Sequence, residues 1–539
     1  MERNPSLLPR KVLTAALAGL LLILLVSQAV SLLVFPVPDS IRWFGDESWL
    51  MTESIELAST GELRHPLALG STLSEPKSFI LLSFPWLRAI AYGVPAAISF
   101  PANPVNVGRV VTFVLSLCLI ALMIVLIYRR TKDLNLSVIY AIALVLCESY
   151  FFASHSARPD IVVGLFVLAF AYVLSDTAER SVAKYWFWVS FAAVLLAIGL
   201  PVHLYLLLFV LCAVAFVVQS AWKNGVAWLS AIVGILAAIL LASAIQFAVT
   251  GHVSFTGADH GSEFNDVSRD VPLLKLFSMS VQRTVLQKHF DLIRTEARLL
   301  FLFLPFLVLA LWWRRKQLSH DRDARLLLLA FGALFVWYFL ERPHPAYLIH
   351  VLPLVVFATA LQVHWFNRHI VRRIFSICIL LWVPFSLIGA YVGKGNGESW
   401  TTGAERNRGM ERAVASLSKR IERGSENKPL VMVEASATKP LLTDTSLRLM
   451  TTHFQFFPLN KLGIGEVIDR YGVDYCIIFN TPYYGYDRNT IDPLVHAIKA
   501  KGELIGSETG EMFDIGRNYF WMDTEYSQDT LFLYKIRKE

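Results

Sequence analysis

The stretch from Arg42 to Lys77 concentrates ionisable groups in an otherwise apolar part of the 539-residue chain. It opens Arg42-Trp43-Phe44-Gly45-Asp46-Glu47-Ser48-Trp49 and closes Ser74-Glu75-Pro76-Lys77, with Glu53, Glu56, Glu62 and His65 between. Adjacent carboxylates at Asp46 and Glu47 suit two kinds of chemistry: a general base for a hydroxyl, or ligands for a hard divalent cation, Mg or Mn. The plainer reading is that Asp46 caps a helix and Glu47 favours its N-terminal dipole. Glu75 and Lys77 read either as a surface ion pair with a snorkelling lysine or as a point charge suited to a phosphate.

Three further groups lie in gaps between apolar runs. Ser154-His155-Ser156-Ala157-Arg158-Pro159-Asp160 opens one run: proline and aspartate fit a helix start, whereas Arg158 goes against the charge bias of its side. Gly199-Leu200-Pro201-Val202-His203 is a very short turn, where a lone histidine is more often structural. Glu341-Arg342-Pro343-His344-Pro345-Ala346-Tyr347 is another, stiffened by two prolines and again carrying an off-bias arginine. Asp259, His260, Glu263 and Asp266 match no metal spacing and read as a solvated loop. Taken together, acids with lysine, arginine and histidine at a lipid boundary suit a phosphorylated lipid. The cations would stabilise charge on a leaving phosphate and an acid would activate an acceptor hydroxyl.

The elements that must position these groups are long apolar runs. The chain is 55% hydrophobic and only 17% charged, with mean hydropathy +0.52. Runs of about 20 apolar residues span a bilayer as helices. Spans fall near residues 12–35, 109–128, 134–152, 160–175, 186–200, 202–219, 226–249, 298–313, 326–341, 346–363 and 374–392, about eleven in all. The first is too long for a signal-peptide core and reads as uncleaved. Placing the N-terminus inside gathers Arg129, Arg130, Lys132, Arg180, Lys184, Lys223, Arg314–Lys316, Arg322, Arg325, Arg368, Arg372 and Arg373 on the cytoplasmic side. Loops 36–108 and 250–297 are then extracytoplasmic, and an odd span count puts the tail there too. The formal charge of +7 is therefore topology, not a nucleic-acid footprint. Glu47 to Ser59 reads as a short amphipathic helix on the membrane surface, Phe79 to Ala91 as a second, and 282–296 as helical.

After Gly393-Lys394-Gly395-Asn396-Gly397 the composition becomes that of a soluble domain, residues 393–539. A helix is expected near 403–423, strands at 430–434, 474–479, 517–522 and 530–536, and helices at 463–471 and 491–501. This alternation predicts a small α/β layer. It holds no phosphate-cradling glycine loop and no nucleophile elbow. The five cysteines include no Cys-x-x-Cys pair and read as small buried hydrophobes.

The sequence resembles the GT-C integral-membrane glycosyltransferases, especially the bacterial branch related to aminoarabinose transferases and protein O-mannosyltransferases. The resemblance covers about residues 10–392. It rests on Gly45-Asp46-Glu47, on Ala157-Arg158-Pro159-Asp160, and on Arg342 to Pro353 with Tyr347. It implies a multi-pass enzyme of the cytoplasmic (inner) membrane that takes a sugar from a polyprenyl-phosphate donor and inverts the anomeric centre. The acceptor would be an envelope lipid, glycan or protein. Asp46 would be the catalytic acid with Glu47 beside it. Arg158, Asp160, Arg342, His344 and Tyr347 would serve the donor phosphate or substrate. Glu75 and Lys77 fall where relatives have Glu-Lys-Pro-Pro, here shifted by one position, and His203 falls where relatives have a lysine. Transport or flipping of lipid-linked sugars is the competing reading, and a non-catalytic scaffold a third. Transport predicts paired broken helices and midplane charges; the charges here gather at one face.

Overall fold

The computed structural model describes residues 7–34, 45–60, 89–158, 160–177, 240, 279–318, 321–340, 345–366, 369–392, 409, 411–424, 427–434, 437–451, 464–479, 488–514 and 525–537. The expected spans near 186–200 and 202–219 lie outside this set, as does 226–249 apart from residue 240.

The apolar runs form helices. They are α1 (Leu7–Val34), α2 (Gly45–Thr60), a π-helical turn Ala89–Gly93 running into α3 (Val94–Ile98), α4 (Pro104–Thr131), α5 (Leu134–Val145), α6 (Glu148–His155) and α7 (Asp160–Thr177). Then come α8 (Met279–Glu296), α9 (Leu300–Arg314), α10 (Arg322–Leu340), α11 (Pro345–Leu348), α12 (Leu352–Phe366) and α13 (His369–Val392). Among the described residues, Lys11–Leu33 and Pro104–Thr131 are each long and apolar enough to cross a membrane. The α5–α6 pair would make a third crossing if counted together.

Local chemistry sets the boundaries. Pro104 takes the first turn of α4, and Asn103 caps it by accepting from the Val105 amide at 3.0 Å. The helix therefore starts five residues before the expected span at 109. It ends at Lys132, whose φ of 55° is left-handed, and Asp133 at once caps α5 through the Leu136 amide. The expected single span 134–152 is corrected: Cys147 adopts an extended backbone, and α5 and α6 meet at 72°. The expected span 346–363 likewise divides into the short α11, a turn, and α12. α12 is buried on every side from Leu352 to Val363, the pattern of a helix at the centre of a bundle. Exposed Leu22, Leu33, Ile370 and Leu381 on α1 and α13 lie on the periphery, where such apolar surface fits a lipid contact.

One end of the bundle is tied by the cations that the charge alternation placed together. Arg130 of α4 pairs with Asp323 at the start of α10 and donates to Ser175 of α7. Arg314 of α9 pairs with Asp321 and donates to Gln362 of α12. Arg372 of α13 pairs with Asp133.

The C-terminal sheet has the order β2-β1-β3-β5-β4, from β1 (Leu430–Val433), β2 (Arg448–Thr451), β3 (Tyr475–Phe479), β4 (Gly502–Asp514) and β5 (Glu525–Ile536). β2, β1 and β3 are parallel; β5 and β4 are antiparallel additions. Alternation puts Val431, Val433, Ile477 and Leu533 on one face under α14 (411–418). Leu430, Met432, Cys476 and Ile536 face α15 (Ile464–Tyr471) and α16 (Arg488–Lys501). The α/β expectation thus holds. β2 and β4 are additions to it, and the expected strand 517–522 lies outside the described residues. Cys147 and Cys476 are buried, as expected, whereas Cys118 is exposed.

Candidate functional site

At the end of the bundle opposite the cation ties, the start of α2 meets the second turn of α4 and the junction of α6 with α7. Glu47 is 1% exposed and held from both partners. Arg109 donates from Nε to Oε1 at 3.0 Å and from Nη2 to Oε2 at 2.6 Å, and the Ala157 amide donates to Oε1. The arginine is equally buried. A fork of this kind fixes both distance and orientation. Asp46 is the preceding residue in the same first turn; its side chain lies outside the described residues.

α2 was expected to lie on the membrane surface. Its buried positions are instead Glu47, Ser48, Met51, Ser54 and Leu57, a stripe packed on protein: the Ala89–Gly93 turn, α3 and α4. Met51 packs with Tyr92, Ala96, Val105 and Ala157. Two glycines make the seat possible. A Cβ at Gly93 would fall 2.0 Å from the Ser54 carbonyl oxygen, and one at Gly108 would fall 2.4 Å from Met51 Sδ.

Arg158 follows Ala157 directly. Its Nε donates to Asp160 Oδ2 at 2.8 Å, and its guanidinium lies 5.7 Å from the Tyr347 ring centre. Asp160 Oδ1 is 3.1 Å from His350 Nε2, and the His350 and Tyr347 rings are 5.5 Å apart. The Tyr92 hydroxyl shares a hydrogen bond with Thr112 Oγ1 and reaches the Arg158 carbonyl at 3.5 Å. Three of the expected residues, Arg158, Asp160 and Tyr347, are therefore one cluster. His155 faces away from it, with Nδ1 2.8 Å from the Phe151 carbonyl and Nε2 3.0 Å from the Gln28 carbonyl; it ties α6 to α1.

The sequence reading missed two residues. Arg109 was taken as the first residue of a span, so its burial opposite an acid of another segment left no local signal. His350 sits in an apolar run with no charged neighbour. Glu75, Lys77, His203, Arg342 and His344 lie outside the described residues.

The Glu47 half of the expected divalent-cation pair lies among the described residues. Both Glu47 oxygens already accept N–H groups, three bonds in all. A cation ligated by Glu47 would share the carboxylate with a buried guanidinium. Among the described residues no three acids, histidines or cysteines gather as a metal group. The Asp46 side chain, the other half of the expected pair, lies outside the described residues, and no chemical step is drawn through a metal.

No protein-family model and no curated protein matches the sequence. Crystal structures of ArnT are among the solved structures that match along most of the chain. ArnT from Cupriavidus metallidurans bound to undecaprenyl phosphate aligns with a TM-score of 0.55 at 12% identity, over 95% of this chain and 98% of that one. The apo form of ArnT aligns at 0.54 and 11%, over 96% and 98%. The chain has the ArnT fold. ArnT is an aminoarabinose transferase of the GT-C class, so the match bears out the resemblance read from Gly45-Asp46-Glu47 and Ala157-Arg158-Pro159-Asp160 at the level of fold. The described part of the chain is mostly helical with a small sheet, and two of its helices are long and apolar enough to cross a membrane.

Proposed function

We propose that this protein is a glycosyltransferase that moves a sugar from a polyprenyl-phosphate donor to a lipid, glycan or protein acceptor on the outer side of the inner membrane, with inversion. The observation that carries the reading is the shared fold over nearly the whole of both chains with an ArnT structure holding undecaprenyl phosphate. The arrangement of acid and cation at one end of the bundle supports it. Asp46, in the first turn of α2, would take the proton of the acceptor hydroxyl as that oxygen attacks the anomeric carbon. Glu47 would not act as base, since it is held by Arg109 and an amide; it would fix the turn that carries Asp46. Arg158, steadied by Asp160 and Tyr347, would stabilise charge on the departing lipid phosphate. Lys77, Arg342, His344 and His203 are proposed to complete that cation set, with Glu75 beside Lys77. A divalent cation is not required by this scheme.

The test is transfer of label by the purified chain from radiolabelled polyprenyl-phosphate sugars to membrane extract, with the wild type compared against Asp46→Asn. Label moving only with the active aspartate supports the reading. Translocation of intact lipid-linked sugar across vesicles without transfer would replace it with the flippase alternative.

A further inference from the structure

The turn Thr438–Leu442 of the C-terminal domain has two faces. Leu441, 2% exposed, belongs to the core under α14 with Val431, Val433 and Phe479. Its neighbour Leu442 packs instead on the cluster of Met51, Tyr92, Val105 and Ala157. The Lys439 carbonyl in the same turn accepts from Asn103 Nδ2 at 3.1 Å, while Asn103 Oδ1 caps α4. Adjacent residues of one short 3₁₀ turn are thus anchored in two different cores. Three of the residues in that cluster adjoin or supply the groups that hold Glu47. Met51 is one turn beyond Glu47 on α2, Val105 is one turn before Arg109 on α4, and Ala157 donates its amide to Glu47.

We infer that Leu442 and Asn103 are positioning residues: the C-terminal domain presses the α2 turn bearing Asp46 into register through this joint. The inference rests on the proposed transferase reading for its effect on rate, but its structural half stands alone. Packed side chains resist displacement because interiors are dense. A wedge withdrawn from the Met51 cluster loosens α2 against α4, and a misplacement of about 1 Å can cost about 10²-fold in rate. Arg158 keeps side-chain anchors of its own in Asp160 and Tyr347, so the larger loss is expected in turnover and the smaller in donor binding.

The experiment uses the full chain in lipid nanodiscs. Leu442→Ala removes the wedge. Asn103→Ser keeps a capping hydroxyl but is too short to donate to the Lys439 carbonyl. Amide hydrogen exchange is followed across 45–60, with 430–433 and 475–479 reporting whether the C-terminal sheet is still folded. Both variants are expected to exchange about tenfold faster over 45–60 with the strands still protected, reflecting a lower local opening energy. In the transfer assay kcat falls by about ten- to a hundredfold while the donor KM stays within about twofold. Unchanged protection over 45–60 in Asn103→Ser, or a loss confined to donor KM, overturns the inference. If Leu442→Ala unfolds the strands, Asn103→Ser decides. If the wild type transfers no sugar, the transferase reading fails while the exchange data still judge the joint.

Discussion

Glu47 and Arg109 meet as a two-point ion pair in which neither side chain is more than 2% exposed, joining the first helix after α1 to the second turn of α4. Removing one partner from a buried pair leaves an uncompensated charge and costs about 3–5 kcal/mol, whereas replacing both by apolar groups is often neutral. Glu47→Gln and Arg109→Met are therefore each expected to lower thermal stability sharply. The double variant Glu47→Met, Arg109→Met should recover much of it. A double-mutant cycle by thermal unfolding in detergent checks this; additive losses would mean that the two residues act independently.

Asp46→Asn keeps size and most of the capping capacity but removes the charge. Loss of a general base costs about 10²–10⁴ in rate, against about 0.5–2 kcal/mol of stability for loss of a cap. The variant is expected to fold, bind donor and transfer almost nothing. Near-normal turnover would take Asp46 out of the mechanism.

Arg158→Glu reverses the charge that faces Asp160 and Tyr347. Donor affinity, measured with a polyprenyl phosphate by tryptophan fluorescence, is expected to fall by more than tenfold on the order of one lost charge-assisted contact. Arg158→Lys should recover part of it, since charge survives without the planar fork. Unchanged affinity in a folded variant would leave the arginine a purely structural role.

Burial at the domain joint pushes the Lys439 ammonium down to about 7. The ordinary lysine value is about 10.4, so between pH 7 and about 10 the unfolded chain binds more protons than the folded one. Stability then rises with pH across that window, by up to about 1.4 kcal/mol per unit, and the full penalty is present below pH 7. Melting of the C-terminal domain is expected to shift upward from pH 7 to 9, and Lys439→Met should flatten that dependence. A slope that survives the substitution would assign it to another group.

The charge alternation predicts residue 425 outside the cytoplasm. A fusion there of a reporter active only outside should work, and one active only in the cytoplasm should stay silent. The reverse pattern would turn the proposed site to the wrong side of the membrane.

What could be read in advance followed from local physics. Apolar length gave the helices, and the short apolar runs at Leu430–Val433 and Tyr475–Phe479 gave the central strands. The start of α4 at Asn103-Pro104 lies five residues ahead of the expected one, because the cap is polar and precedes the apolar run. The α5–α6 bend escaped because Leu146-Cys147 is as apolar as its neighbours, and periodicity does not report a single extended residue. β4 escaped because Gly502, Gly506 and Gly510 with three glutamates read as turn; it forms because a long partner, β5, pairs with it along its length. Arg109 and His350 escaped for a shared reason: each is defined by a partner from a distant segment, Glu47 and Asp160. Such pairings become visible only once the helices are side by side.

The seat of α2 bears on how acceptors are chosen. With backbone contact at Gly93 and a thioether wedged over Gly108, the helix has no slack to follow a substrate. The proposed acid is then a stationary reference point, and an acceptor must bring its hydroxyl to it. Discrimination among acceptors would have to be made along the approach rather than at the carboxylate, so exchanging acceptor preference calls for changes far from residues 45–60.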